Sequence, residues 1–229
     1  MSITTPRAPK AAAEHSSPGV HGSYQEVITY LDQNWSRRYS HDQLLSVQEL
    51  LQATKLDAVN TIVITGTNGK SLTADLTAKL LRHEGLKVGV YTAPHLHVYN
   101  ERIAVNGNAI ANTDLVENFT YIFDQSRLYG LDGNSSALLM LTALAYFRDQ
   151  KVDVAIIEAD GINTYHPAHA LSPRAVVITR ITPTSGSMQE PELIALTEEA
   201  MTAVKKNTYV IPGDQNKTIL NMMQSLTAA

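Results

Sequence analysis

The chain has 229 residues, 44% of them hydrophobic, which is enough for one sizeable α/β domain around a single core but not for a second large one. A net charge of −4, with lysines and arginines scattered along the chain, supplies no basic field for a polyanion and argues against nucleic acid as the main partner. The absence of cysteine excludes disulfides and thiolate chemistry and fits a reducing, cytoplasmic setting; with no run of about 18 apolar residues, neither a membrane-spanning helix nor a membrane partner is expected.

Residues 1–22 mix Pro, Ser, Ala and Gly without an apolar signal core and read as a flexible tail, leaving 23–229 as a single domain. Apolar residues recur at helical spacing from Tyr24 to Asn34 and from His41 to Thr54, so two helices precede the sheet. The β-branched run from Asn60 to Gly66 reads as the first core strand, buried on both faces. A helix from Ser71 to Glu84 follows, ended by Gly85 in a left-handed cap, and Lys87 to Thr92 closes a strand–helix–strand unit.

Asn106-Gly107 between two short strands is a hairpin signal, because both turn positions need positive φ. Helices are expected at Thr113–Tyr129 and Ser135–Asp149, core strands at Val152–Glu158 and Arg174–Arg180, then a helix at Glu190–Lys206 and a strand at Tyr209–Pro212. Asp214 is the expected cap of a last helix reaching Leu226. Alternating strands and helices predict an α/β fold: a mostly parallel sheet flanked by helices, with one small β-hairpin.

Chemistry concentrates in the turn Gly66-Thr67-Asn68-Gly69-Lys70-Ser71, between the first strand and its helix. Glycines let backbone amides close on phosphate oxygens, the helix N-terminus adds partial positive charge, and Lys70 adds a full one. This is a P-loop-type nucleotide site in which Ser71 can reach a magnesium ion. The spacing G-x-x-G-K-S is shorter than the usual G-x-x-x-x-G-K-S. Glu158 and Asp160 lie at the carboxyl end of a parallel strand, where such sheets place ligands, and Glu158 is a candidate for catalysis and metal binding. His166 and His169 are the nearby imidazoles, and lone loop histidines are seldom ligands.

Three segments in order carry a resemblance. Gly66, Thr67, Asn68, Gly69 and Lys70 match GTNGKG[ST]; Tyr91, Thr92, Pro94, His95 and Leu96 match G-x-Y-T-S-P-H-L; Glu101, Arg102, Ile103, Asn106, Gly107 and Ile110 match ERI with a following N-G-x-x-I. Over approximately Tyr24 to Gly213 the chain resembles the N-terminal and central part of the folylpolyglutamate and dihydrofolate synthases, members of the Mur ligase superfamily. The resemblance implies a Mur-ligase-like central domain that binds ATP and Mg²⁺. It implies a reaction in which ATP phosphorylates a folate-like carboxylate and an amine displaces phosphate to form an amide. It also implies Pro94, His95 and Arg102 as contacts to that acid.

Departures from the family pattern are equally specific. Leu72 stands where the family has a hydroxyl, and the stretch around Ala137 replaces a segment with a metal-binding glutamate. The family's aspartate aligns with His166, a metal-binding histidine is replaced around Thr184 and Ser185, and a carbamylated lysine falls near Glu199. The sequence stops at Ala229, so the family's C-terminal domain is not expected within it, which leaves room for a protein subunit completing the site. The expectation is a nucleotide-binding relative with weakened or lost ligase activity. An active ligase with rearranged metal ligands and a scaffold that binds no nucleotide are the alternatives.

Overall fold

Serines start the first two helices. Ser23 caps α1 (Tyr24–Gln33) and Ser40 caps α2 (His41–Ala53), each by a reciprocal exchange in which the third helical residue, Glu26 or Gln43, bonds back to the serine's N–H. Their apolar stripes, Val27 and Leu31, then Val47, Leu50 and Leu51, are buried. The computed structural model describes residues 22–35, 40–159, 165–182, 190–213 and 215–228. The sequence expectations for the tail up to residue 21, Asp160, Thr184, Ser185 and the Asp214 cap lie outside them.

The strands are β1 (Thr61–Thr65), β2 (Val88–Tyr91), β3 (Ile103–Val105), β4 (Asn108–Ala109), β5 (Val154–Glu158), β6 (Ala175–Ile178) and β7 (Tyr209–Pro212). They form one sheet in the order β4-β3-β2-β5-β1-β6-β7. All neighbours are parallel except the β2–β3 and β3–β4 pairs, which form the expected hairpin edge. Asn106 at φ +50° and Gly107 at φ +85° make its turn, and the Asn106 side chain accepts the Val88 N–H. The crossover from β1 to β2 through α3 (Lys70–His83) therefore passes over β5 instead of joining adjacent strands.

Side chains alternate between two unequal cores. Val63, Ile157, Val176 and Ile178 face the larger one, shared with α1, α2, α4 (Asn112–Arg127), α5 (Ser135–Asp149), α6 (Glu190–Met201) and α7 (Lys217–Ala228). Of these α5 is the central helix, buried almost all round from Ser135 to Phe147, with Asn134 accepting the Ala137 N–H at its start. On the opposite face α3 stands alone among the described residues, packing Ala74 and Ala78 against Ile64, Val88 and Ile156.

Two boundaries differ from expectation. Helix α6 ends at Met201 instead of Lys206: Thr202 Oγ1 bonds the Glu199 carbonyl, Lys205 Nζ donates to the Thr202 carbonyl, and Asn207 takes φ +67°. Helix α7 begins at Lys217, capped by Asn216 Oδ1, which accepts the Ile219 N–H at 2.9 Å.

Candidate functional site

β1 sits between β5 and β6, so the turn leaving its carboxyl end emerges mid-sheet. Gly66, at φ +121°, passes so close to β6's extension that an added Cβ would lie 2.2 Å from Thr179 Oγ1 and 2.7 Å from its carbonyl oxygen. Only glycine fits there. Gly69, at φ +84°, is the N-cap of α3, and among the described residues no atom within 4 Å would meet its Cβ, leaving open space over the turn.

The turn is tied down on one side. Thr67 Oγ1 donates to the Arg180 carbonyl at 2.9 Å and accepts the Thr182 N–H at 2.8 Å, while Asn68 Nδ2 donates to Thr182 Oγ1. On the other side α3 opens without a side-chain cap and without an acidic residue in its first turn. Its positive end is thus presented to the open space over Gly69. Lys70 folds back, donating from Nζ to the carbonyls of Gly66 at 3.1 Å and Thr67 at 3.4 Å, which holds a full positive charge at the mouth of the turn.

Ser71 Oγ donates to Glu158 Oε1 at 2.9 Å, joining the helix start to the end of β5. Glu158 is 1% exposed. Two hard oxygen donors from different elements therefore converge beside the lysine, a donor set suited to magnesium more than to softer metals. Leu72, where the family carries a hydroxyl, is 65% exposed, while Ala137 is buried within α5 and supplies no ligand. Among the described residues no group of three or more His, Asp or Glu side chains gathers as a metal cage.

His166 and His169 are buried after β5, with ring centroids 5.9 Å apart. His166 Nδ1 accepts the Ala168 N–H at 3.1 Å, and His169 Nδ1 lies 2.7 Å from Thr202 Oγ1. Burial, then His169, then the Lys70 ammonium push the His166 pKa down to about 3. It is a neutral imidazole close to the turn, fixed by local bonds.

A second cluster forms where the Ala93–Arg102 loop meets α1. Glu101 accepts the backbone N–H groups of Leu96, His97 and Val98 at 2.8–3.1 Å; these bonds, the Leu96 one first, hold its carboxyl below the usual value of 4.5. Arg102, 5% exposed, donates from Nε to His95 Nδ1 at 2.7 Å and lies 4.4 Å over the Trp35 ring. Among the described residues its buried Nη1 has no hydrogen-bond acceptor and no carboxylate pairs with it. Burial first, then the Arg102 charge, lower the His95 pKa, so its ring is neutral with the proton on Nε2. Tyr99 packs on His95 at 4.3 Å and donates its hydroxyl to Asp32.

Pro94, His95 and Arg102 are thus neighbours in one loop. Trp35, Tyr99 and Asp32 complete the cluster and carry no spacing signal, since Asp32 and Trp35 come from the segment of α1 and the others arrive from after β2. The phosphate-type turn is a separate cluster at the carboxyl ends of β1 and β5.

No protein-family model matches the chain. Curated homologues nevertheless cover most of it. The folylpolyglutamate synthase of Lacticaseibacillus casei is 26% identical over 199 residues, 84% of this chain and 46% of that protein. The dihydrofolate synthase/folylpolyglutamate synthase of Haemophilus influenzae is 30% identical over 185 residues, 76% of this chain and 40% of that protein. Among solved structures, Mycobacterium tuberculosis folylpolyglutamate synthase complexed with ADP superposes at a TM-score of 0.79 with 22% identity, covering 90% of this chain and 48% of that one. An FPGS–AMPPCP–folate complex superposes at 0.76 with 23% identity, covering 90% of this chain and 52% of that one. The folds agree, and the chain spans about half the length of the relatives it matches.

Proposed function

We propose that this chain, a homologue of the folylpolyglutamate and dihydrofolate synthases over most of its length, binds ATP through the Gly66–Ser71 turn and has weakened ligase activity. The observation that carries the reading is the joint placement of Lys70 Nζ, the uncapped start of α3 and the Ser71–Glu158 pair around the space left open by Gly69. Backbone amides and Lys70 hold the polyphosphate, and Ser71 with Glu158 holds Mg²⁺ on it. The relatives described with ADP or with AMPPCP and folate support this choice of ligands.

In that reaction ATP transfers its γ-phosphoryl group to a carboxylate, leaving ADP, and an amine then displaces phosphate from the acyl phosphate to form an amide. For that step the chain contributes positioning and positive charge. Weakening follows from Leu72 and Ala137, apolar where the family pattern places metal ligands. The residues around Arg102 hold the acid: its free Nη1 donors and the His95 Nε2–H form a donor pair for a carboxylate, with Trp35 and Tyr99 as an aromatic wall.

Isothermal titration with ATP and Mg²⁺ tests the reading. Wild type should bind, and Lys70→Ala should bind about tenfold or more weakly, as expected for losing a charge-assisted contact of ~1.5–3 kcal/mol. No heat from wild type would leave a scaffold with an unused turn. A second reading, a fully active ligase, is favoured by Ser71 standing within reach of Glu158. Phosphate release from ATP, a folate-like acid and glutamate at relative-like rates, abolished by Lys70→Ala, would select it.

A further inference from the structure

At the amino end of β1, opposite the lysine-bearing turn, a cavity of about 240 Å³ opens between α2, the 3₁₀ turn Leu56–Ala58 and the segment that follows Ala170. Helix α2 stops at Ala53 and the chain doubles back through Lys55, at φ +56°, before it enters β1, which leaves this wedge below the strand. Leu51, Leu56 and Leu171, all buried, give the cavity apolar walls. Gln48 and Gln52, one turn apart on α2, line it with two carboxamides, and the exposed Asp57 and Ser172 stand at its rim. Thr61, the first residue of β1, is also in its lining at only 3% exposure. Two residues further along the same strand face Val63 packs into the core, so an apolar side chain would fit at Thr61 as well. Among the described residues none of these five polar side chains has a hydrogen-bond or ion-pair partner, and a buried hydroxyl left unpaired is destabilising.

We infer that this cavity is a second binding site, which takes a small guanidinium- or amidinium-bearing molecule with a short apolar stem. Asp57 carries the only formal charge among the lining residues, so the occupant is a cation. Every polar lining group can accept a hydrogen bond, and a guanidinium has five N–H donors and no acceptor. The Asp57 carboxylate takes a parallel pair of them, and the Gln48 and Gln52 carbonyl oxygens and the Thr61 hydroxyl take the rest, with the stem on the leucines. An ammonium fits less well, having three donors and stronger hydration, and an anion would be repelled by Asp57. A volume below the ~300–1,000 Å³ of drug-sized pockets limits the occupant to a head group and a short stem. The inference does not rest on ATP binding, because the phosphate-type turn lies at the other end of β1, roughly 16 Å away along the strand.

Benzamidine is the probe, and benzamide its uncharged isostere. In a titration of the ¹⁵N-labelled chain followed by NMR, benzamidine should shift the side-chain amides of Gln48 and Gln52 and the backbone amides of Asp57 and Thr61, saturating with a Kd of about 1–10 mM, the range for a fragment-sized ligand. Benzamide should bind at least tenfold more weakly. Asp57→Asn, isosteric and at an exposed position, should keep the melting temperature and lose at least tenfold in benzamidine affinity. Saturating ATP with Mg²⁺ should leave the benzamidine shifts in place. Absence of saturable shifts at these residues, benzamide binding as tightly as benzamidine, undiminished affinity in Asp57→Asn, or displacement by ATP each overturns the inference.

Discussion

Gly66→Ala separates backbone constraint from ligand contact at the turn. The added Cβ would lie 2.2 Å from Thr179 Oγ1, 2.7 Å from the Thr179 carbonyl oxygen and 3.0 Å from its nitrogen, at a φ of +121° that L-residues rarely adopt. Thr179 cannot retreat freely, since its N–H and Oγ1 both donate to the Thr65 carbonyl, at 2.8 and 3.0 Å. A strained dihedral costs ~1–3 kcal/mol and overpacking a further ~1–3 kcal/mol, so a loss of about 3–5 kcal/mol is expected, a large share of the 5–15 kcal/mol of a typical domain. Gly69→Ala is the internal control: φ is +84° but nothing among the described residues stands within 4 Å, so only the left-handed penalty of ~1 kcal/mol applies. Urea unfolding followed by circular dichroism reads both. Gly66→Ala should lower the midpoint several times more than Gly69→Ala, and Thr179→Ala in the same chain should restore only part, because the backbone oxygen at 2.7 Å remains. Equal midpoints for the two alanine variants would refute the close-approach argument. In ATP titration the order reverses for folded protein, since the Gly69→Ala methyl enters the space over the turn.

His166 binds a proton at about pH 3 when folded and near 6.5 when unfolded, so the unfolded state holds more protons between these values. Stability from this group is fully present above about pH 6.5 and lost as pH falls toward 3, at up to ~1.4 kcal/mol per unit; His166→Gln should flatten that limb of the pH–stability curve. Glu101 has the carboxylate pattern: its clamp on Leu96, His97 and Val98 is present above the ordinary value of 4.5 and released below its lowered pKa. Amide exchange in those three residues, corrected for intrinsic rates, should accelerate on acidification, and in Glu101→Gln at neutral pH; protection unchanged in both would count against the clamp. Arg102→Met should weaken binding of an aromatic carboxylate such as pteroate at least tenfold while leaving ATP affinity unaltered, and parallel loss of both would show a merely structural role. Leu31→Ala, removing a fully buried side chain between α1 and the core, should cost about 2–5 kcal/mol by the same denaturation assay.

Local pattern made most elements legible. The β-branched run before Gly66, the leucine periodicity after Lys70 and the Asn106-Gly107 pair each encode structure within a few residues, and each appears where expected. Strand order was not legible, because nothing within β5 says that it inserts between β1 and β2. The end of α6 was misread since Thr202 and Lys205 turn their polar groups onto the last carbonyls, an interaction periodicity does not record. At the turn, spacing and composition singled out Lys70, Ser71 and Glu158, and the fold brings them side by side. The Arg102 cluster was half found: Trp35 and Tyr99 carry no signal at sequence level, and their meeting depends on α1 docking against a loop 60 or more residues away.

β1 has hydrogen-bonded neighbours along both sides, whereas the hairpin and β7 form the sheet's margins. Segments with flanking partners open last, and margins fray at far lower cost. The lysine-bearing turn is suspended from a strand flanked on both sides, so the frame that shapes it holds until the domain unfolds globally. A ligand there would raise the temperature of global unfolding and leave the exchange of the outer strands nearly untouched.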